Sequence, residues 1–360
     1  MNPRKILAIK LRSMGDTILM TSPLEELKRA YPNAELHVAV TSTWAPLLEN
    51  HPAIDRLWAC ERHKDRGARA KAIARLALKL RREGFDCVVN FHASPSSSML
   101  AFATGAKVRS IHFHGHKDKN RHSTVVVPGK GTLKPIIERD MDTVRALGIN
   151  APAGTLPKVY LLAEETEEAS AQLASLGLTG PVLGIGLGSS RPTKTWPVDR
   201  FAALAVRWCK EAQGSVIVPT GPHDEAAMHA FSKALTTVPG YEEVSSRIVT
   251  QQNLPLRPLA AMLSQLAVFA GNDSGPRHLA VAVGTPTVTL FGPEHPFEWH
   301  PYPEDRHPRF FVDNLPCRRD AMPGMPAWCG LHDCVAEAHK CMTMIEAGPV
   351  FEAIRRVARK

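Results

Sequence analysis

The sequence predicts an α/β protein made of two doubly wound parallel-sheet domains facing a cleft. Three observations carry this. With 360 residues the chain is too long for one average domain and suits two. Short apolar runs alternate with amphipathic stretches of helical period, the pattern of parallel strands covered by helices on both faces. The alternation stops between residues 150 and 180, where Pro152, Gly154, Pro157 and "GLTGP" interrupt it, and then begins again. The expected limits are 1–165 and 166–345, with a terminal helix over 346–360.

In order along the chain, "RKILAIKL" (4–11) reads as a buried strand and "DTILMTSPLEELKRAYP" (16–32) as an amphipathic helix that bends before Pro23. "AELHVAV" (34–40) is the next strand. The basic stretch "HKDRGARAKAIARLALKLRREG" (63–84) fits a solvated helix, and "FDCVVNF" (85–91) and "SMLAFATGA" (98–106) are further apolar runs. After the connection, strands are expected at 181–187, 215–221, 266–272 and 286–292, with helices at 199–213 and 276–283 among them. Ligands on such sheets sit beyond the C-terminal ends of the strands, so the default site is the cleft between the domains.

Composition narrows the class. No run of eighteen apolar residues is present, which argues against a membrane-spanning helix. The start, "MNPRKILAIKLRS", has no signal-peptide apolar region, so a cytoplasmic protein is expected. The net charge of +9 is uneven: residues 1–150 carry 25 Lys and Arg against 14 Asp and Glu, and residues 151–360 carry 19 against 21. A basic first half suits an anionic partner, although a solvated basic helix accounts for part of the excess.

Four corners follow strands. In "RSMGDTI", Gly15 permits a tight turn and Asp16 stands at a helix start, where an N-cap explains it as well as chemistry does. No G-x-G-x-x-G follows this strand, which weakens a dinucleotide reading. In "GLGSSRPTKTWP" (186–197), Ser189, Ser190 and Lys194 suit a diphosphate, without the glycine spacing of a Walker loop; a solvated loop is the plain alternative. "VPTGPHDE" (218–225) offers Thr220, Gly221 and Asp224, the last either a ribose acceptor or an ordinary cap. In "GNDSGPRHL", Ser274 is placed to cap, Pro276 suits the first helical turn, and Asp273, Gly275 and His278 surround a helix start able to hold an anion.

Together "IKLRSMGDTIL", "SSRPTKTWPVDRFAALA", "TGPHDE" and "GNDSGPRHLAVAVGTPTVTLFGPEHPFEWHPY" resemble, in order and spacing, the ADP-heptose:lipopolysaccharide heptosyltransferases of glycosyltransferase family 9. The resemblance implies a GT-B architecture of two Rossmann-like domains, the first binding acceptor and the second the nucleotide-sugar. It implies a terminal helix packing back on the first domain, and inverting transfer with no required cofactor or metal. ADP-heptose would be the donor and ADP a product. Carried over, Asp16 takes the catalytic-base position. Ser189, Ser190 and Lys194 take the phosphate-contacting positions, and Lys194 would also assist the leaving group. Asp224 falls where an acidic residue contacts the ribose, Thr220 and Gly221 fall in the donor site, and Asp273, Ser274, Gly275 and His278 match the donor loop.

The resemblance also gives the basic first domain a partner, an anionic glycolipid such as a Kdo-containing lipid A core. Arg12, Ser13, Gly15, His92, Ser94, His112 and His114 are its candidate contacts. A monomer without nucleic acid is expected, touching at most the cytoplasmic face of the inner membrane of a Gram-negative envelope. Cys317, Cys329, Cys334 and Cys341 have no standard zinc spacing; reduced thiols, a structural zinc or a disulfide are the alternatives. A nucleotide-sugar epimerase, another nucleotide-sugar transferase and a non-catalytic nucleotide- or lipid-binding protein are the competing functions.

Overall fold

The computed structural model describes residues 2–113, 119–127, 134–318, 329 and 331–358. Two units emerge, Met1–Tyr160 and Leu161–Lys360. The first runs β1 (Lys5–Lys10), α1 (Met14–Leu19), α2 (Thr21–Ala30), β2 (Glu35–Thr41), β3 (Arg56–Cys60), α3 (Arg66–Arg82), β4 (Cys87–Asn90), α4 (Pro95–Ala103), β5 (Val108–Ile111) and α5 (Ile136–Arg145). Its parallel strands lie in the order β3-β2-β1-β4-β5. Alternation along β1 builds two core faces. Ile6 and Ala8 pack with Leu24 and Leu27 of α2 and with Met141 and Val144 of α5. Leu7 and Ile9 pack with Leu76 and Leu80 of α3 and with Leu100 and Ala101 of α4. Chain direction across the sheet reverses between β1 and β4, so the loops after those strands diverge at a switch point.

The second unit runs α6 (Ala163–Ser175), β6 (Val182–Gly186), α7 (Val198–Glu211), β7 (Ser215–Thr220), α8 (Glu225–Leu235), β8 (Ile248–Gln252), α9 (Leu256–Ser264), β9 (Val268–Asn272), α10 (Gly275–Ala282), β10 (Thr287–Phe291), α11 (Pro296–Trp299), β11 (Arg309–Phe311), α12 (Lys340–Thr343) and α13 (Ala347–Ala358). The strand order β11-β10-β9-β6-β7-β8, all parallel, is the Rossmann order, with its switch point between β6 and β9. There the two strands approach closely. A Cβ on Gly271 would lie 2.7 Å from the Gly186 carbonyl oxygen.

Several elements differ from expectation. The helix expected over 16–32 is two helices, α1 and α2, meeting at Met20; Pro23, in the first turn of α2, has no N–H with which to continue an earlier helix. The apolar run 98–106 belongs to α4, followed by a turn. The strands β3, β5, β8 and β11 carry no long apolar run, because several of their residues are only partly buried. The terminal helix is α13, Ala347–Ala358. Its apolar stripe, Val350, Phe351, Ile354 and Val357, joins the second unit's core beside Trp208 of α7, Ala270 of β9 and Leu290 of β10. Arg207 of α7 also stacks 3.9 Å over the Phe351 ring. That face is satisfied within its own unit.

Candidate active site

In the first unit the chain leaves β1 at Lys10 and enters α1 through Arg12 and Ser13. Ser13, not Asp16, occupies the N-cap. Asp16 lies one turn in and is buried. Its Oδ2 accepts a 2.6 Å hydrogen bond from Ser13 Oγ and lies 3.5 Å from Arg12 Nε. Lys10 Nζ stands 3.9 Å from Asp16 Oδ1. Burial pushes the Asp16 carboxyl up, but Lys10, the Ser13 hydroxyl and Arg12 together outweigh it and hold the group below the usual carboxylate range. Asp16 is therefore a charged, nearly enclosed carboxylate in the first turn of the helix that follows the central strand.

The loops after the neighbouring strands complete that edge. After β4, His92 accepts from Ser97 Oγ through its carbonyl at 2.5 Å. Ser94 is a helix cap, its Oγ accepting from the Ser97 N–H at 3.2 Å, so this hydroxyl has a structural duty. After β5, His112 is buried and donates its N–H to the Asn90 carbonyl at 2.9 Å. Gly15 is buried within α1. His114 lies outside the described residues.

In the second unit, the loops after β6, β7, β9 and β10 hold the charged groups. Lys194, at the end of a 3₁₀ turn (Pro192–Lys194), donates to Asp273 Oδ2 at 2.6 Å. The other oxygen, Oδ1, accepts from Arg277 Nε at 3.0 Å and Nη2 at 2.6 Å. Burial would raise Asp273, yet Arg277 and Lys194 drive it far below the usual range. Asn272 fixes the loop that carries Lys194: its side chain donates to the Leu187 carbonyl at 2.8 Å and accepts from the Trp196 N–H at 2.9 Å.

Arg277 is held from below. It donates through Nη2 to the Trp299 carbonyl at 2.8 Å, and Nη1 lies 3.4 Å from His300 Nδ1. His300 Nε2 lies 2.7 Å from the His307 carbonyl and must be its protonated nitrogen, which leaves Nδ1 to accept. Burial and the neighbouring Arg277 push the His300 imidazole down to about 3. His278 turns into the interior, 2.5 Å from the Tyr302 hydroxyl, and burial holds it neutral far below its usual range.

Ser274 takes the N-cap of α10 with an extended backbone but makes no side-chain bond to the helix amides. Gly275 and Pro276 follow as the first helical residues, so the α10 start keeps its positive end uncapped by Ser274. Ser189 Oγ donates to the Arg191 carbonyl at 2.7 Å and sits 2.9 Å from Thr195 Oγ1; it shapes the loop, while Ser190 is exposed. Asp224 precedes α8 without capping it. Its Oδ2 instead accepts from the Gly221 N–H at 2.8 Å, and its carboxyl lies against Gly188 in the neighbouring loop after β6. Thr220 is buried at the end of β7.

Four contributors have no counterpart in the sequence reading: Lys10, Asp140, Arg191 and Glu294. Arg191 and Glu294 form an ion pair beside Lys194; burial raises the Glu294 carboxyl, with Lys194 and Arg191 pulling against it. Lys10 and Asp140 carried a readable signal, each being a charge at a position the apolar pattern assigns to the core. The late cysteines are free thiols, and burial pushes Cys341 up to about 11. Among the described residues no group of three His, Cys, Asp or Glu side chains is placed to hold a metal ion; residues 319–328 and 330, between these cysteines, lie outside them.

Comparison with known proteins points one way. The family model for glycosyltransferase family 9 (heptosyltransferase) matches residues 73–320, more than half of the chain. Lipopolysaccharide heptosyltransferase 3 of Escherichia coli K12 is 25% identical over 308 residues, 82% of this chain and 84% of that protein. A glycosyl transferase family 9 structure from Veillonella parvula superposes with a TM-score of 0.79 at 21% identity, covering 99% of this chain and 98% of that one. The E. coli ADP-heptose lipopolysaccharide heptosyltransferase II structure gives 0.77 at 20% identity, with 99% and 98% covered.

Proposed function

We propose, on the premise that this chain belongs to glycosyltransferase family 9 (heptosyltransferase), that it transfers heptose from ADP-heptose to an anionic lipopolysaccharide inner-core acceptor. Transfer inverts the anomeric centre and uses Asp16 as the general base. The first unit binds the acceptor and the second the nucleotide-sugar. The enzyme works as a monomer from the cytoplasmic side of the inner membrane. Among the described residues no helix is long and apolar enough to cross a membrane.

In this reading Asp16 takes the proton of the acceptor hydroxyl, whose oxygen bonds to the anomeric carbon. The bond from that carbon to the β-phosphate oxygen breaks, and its electron pair leaves with ADP. Bond breaking runs ahead of bond making, so the sugar acquires oxocarbenium character. Negative charge grows on the diphosphate, where Lys194 and the amide end of α10 stand ready. Asp224 and the Gly221 turn receive the ribose. The reading needs no metal: a lysine and a helix start supply the positive charge.

The observation that carries it is the Lys194–Asp273–Arg277 row at the start of α10, at the switch point of a Rossmann-ordered sheet. Two variants test the roles separately. Asp16→Asn should lower kcat by about 10²–10⁴ with ADP affinity intact. Lys194→Ala should weaken ADP binding and lower kcat by about 10²–10³. Wild-type turnover in Asp16→Asn removes the base assignment, and wild-type ADP affinity in Lys194→Ala removes the phosphate assignment. Turnover that stops on treatment with EDTA and returns with a divalent cation contradicts the metal-free step.

A further inference from the structure

Lys10 is a charged side chain with almost no solvent, at the last position of the central strand, 1% exposed. Its ammonium donates to both oxygens of Asp140 on α5, at 2.6 and 2.9 Å, and to the Phe91 carbonyl beyond β4 at 3.2 Å. It also stands 3.9 Å from Asp16 Oδ1. Asp140 is fully buried. Burying two charges costs several kcal/mol each, so such a pair is poor evidence of stabilisation and calls for another account.

We propose that Lys10, clamped on Asp140, is a positioning residue that holds the Asp16 carboxylate in place and charged. The proposal rests on the reading of Asp16 as the base and adds what sets that base's strength. Three contacts fix Lys10, so its ammonium cannot follow Asp16 and collapse onto it. Lys10 alone, in so dry a place, would make Asp16 too weak a base to take a hydroxyl proton. Asp140 shares the cation and moderates the pull. When Asp16 takes up its proton, Lys10 and Asp140 remain as a neutral pair, and no isolated buried charge is created.

Arg12, on the entry to α1, reaches Asp16 from the solvent side, half-exposed. Arg139, next to Asp140 on α5, acts on Asp140, as do Lys10 and Asp16. Just beyond β4, the Phe91 carbonyl accepts from Lys10. Burial drives Asp140 up to about 6, against the pull of Lys10, so Asp140 is the softer member of the row.

The test is the pH dependence of kcat/KM in Lys10→Gln, Asp140→Asn, the double variant and Asp16→Asn. An ionised base gives an acid limb at its own pKa. Without Lys10 the limb should move up by about one pH unit or more, the usual effect of losing an opposite charge at this range. Asp140→Asn turns all of Lys10 on Asp16. Its limb should move down or stay, with kcat at neutral pH severalfold lower and KM for donor unchanged. Single variants that leave a buried charge unpaired are apt to unfold. The double variant leaves none, should keep the wild-type melting temperature, and should still show the raised limb.

Folding of the first unit, which carries all three residues, is read independently by the thermal melt. A raised limb in Lys10→Gln or in the double variant, with a wild-type melt, supports the proposal. A wild-type limb in folded double variant, with Asp16→Asn inactive, overturns it and leaves the base reading standing. Wild-type activity in Asp16→Asn overturns the base reading first, and this inference with it.

Discussion

Asp273 accepts from two cations at once, Lys194 on one oxygen and Arg277 on the other, with all three side chains largely out of water. The physical consequence is division of labour. Arg277, bonded also to the Trp299 carbonyl below, is the fixed partner; Lys194, on a loop after β6, is the partner we propose turns toward a phosphate. Arg277 stands on a helix face that reads as small and apolar, so sequence offered it no role; its bond to Asp273 four residues earlier supplies one. Replacing Arg277 by Met strands Asp273 with a single cation. Removing one partner of a buried ion pair costs about 3–5 kcal/mol. Chemical denaturation of Arg277→Met should show a loss of that order, and a loss under about 1 kcal/mol would mean that the guanidinium does not hold Asp273.

At the scale of elements, the close approach of β6 and β9 positions the two loops that carry Lys194 and Asp273. Gly271 permits it, because the nearest atoms a Cβ there would meet are Gly186 backbone, at 2.7 to 3.1 Å, which cannot yield as a flexible side chain does. Gly271→Ala should cost about 1–3 kcal/mol, the usual range for overpacking, and weaken ADP binding as the loops part. Wild-type affinity and stability in that variant would contradict the tight pairing. The long apolar strands and the amphipathic helices were legible in sequence because their periodicity states which face is buried. Where burial is partial, as in β3 and β8, the period fades, and those strands were not. The terminal helix was legible as an amphipathic helix, but an apolar stripe says nothing of which sheet it will cover. The corners after β1, β6, β7 and β9 were legible as turns bearing polar residues. Their partners were not, because Lys10 and Asp140 are 130 residues apart and meet only through the sheet order.

Across the whole molecule, the buried histidines of the second unit make stability depend on pH. His300 titrates at about 3 and His307 at about 4, both displaced downward mainly by burial, whereas in the unfolded chain each titrates near 6.5. Between those values the unfolded state takes up the protons, so stability rises with pH across the window and is lost as pH falls from about 7 toward 4. At pH 5 each group accounts for about 2 kcal/mol of that loss. Asp273 adds to it only below its unfolded value of 3.8, where its depressed carboxyl begins to be protonated in the unfolded chain. Thermal melts between pH 7.5 and 5 should therefore show a falling midpoint, and His307→Gln should flatten the slope. A midpoint that climbs on acidification contradicts neutral burial of these rings.

In the transfer we propose, Asp16 is the base, and Lys194 with the start of α10 receives the leaving group. The most direct measurement incubates the purified protein with ADP-heptose and a Kdo-lipid A or heptosylated core acceptor, following ADP release and the anomeric configuration of the glycolipid product. Stoichiometric ADP and heptose transfer with inversion are expected, both abolished in Asp16→Asn. Retention at the anomeric carbon, or ADP release without a glycosylated acceptor, would contradict it.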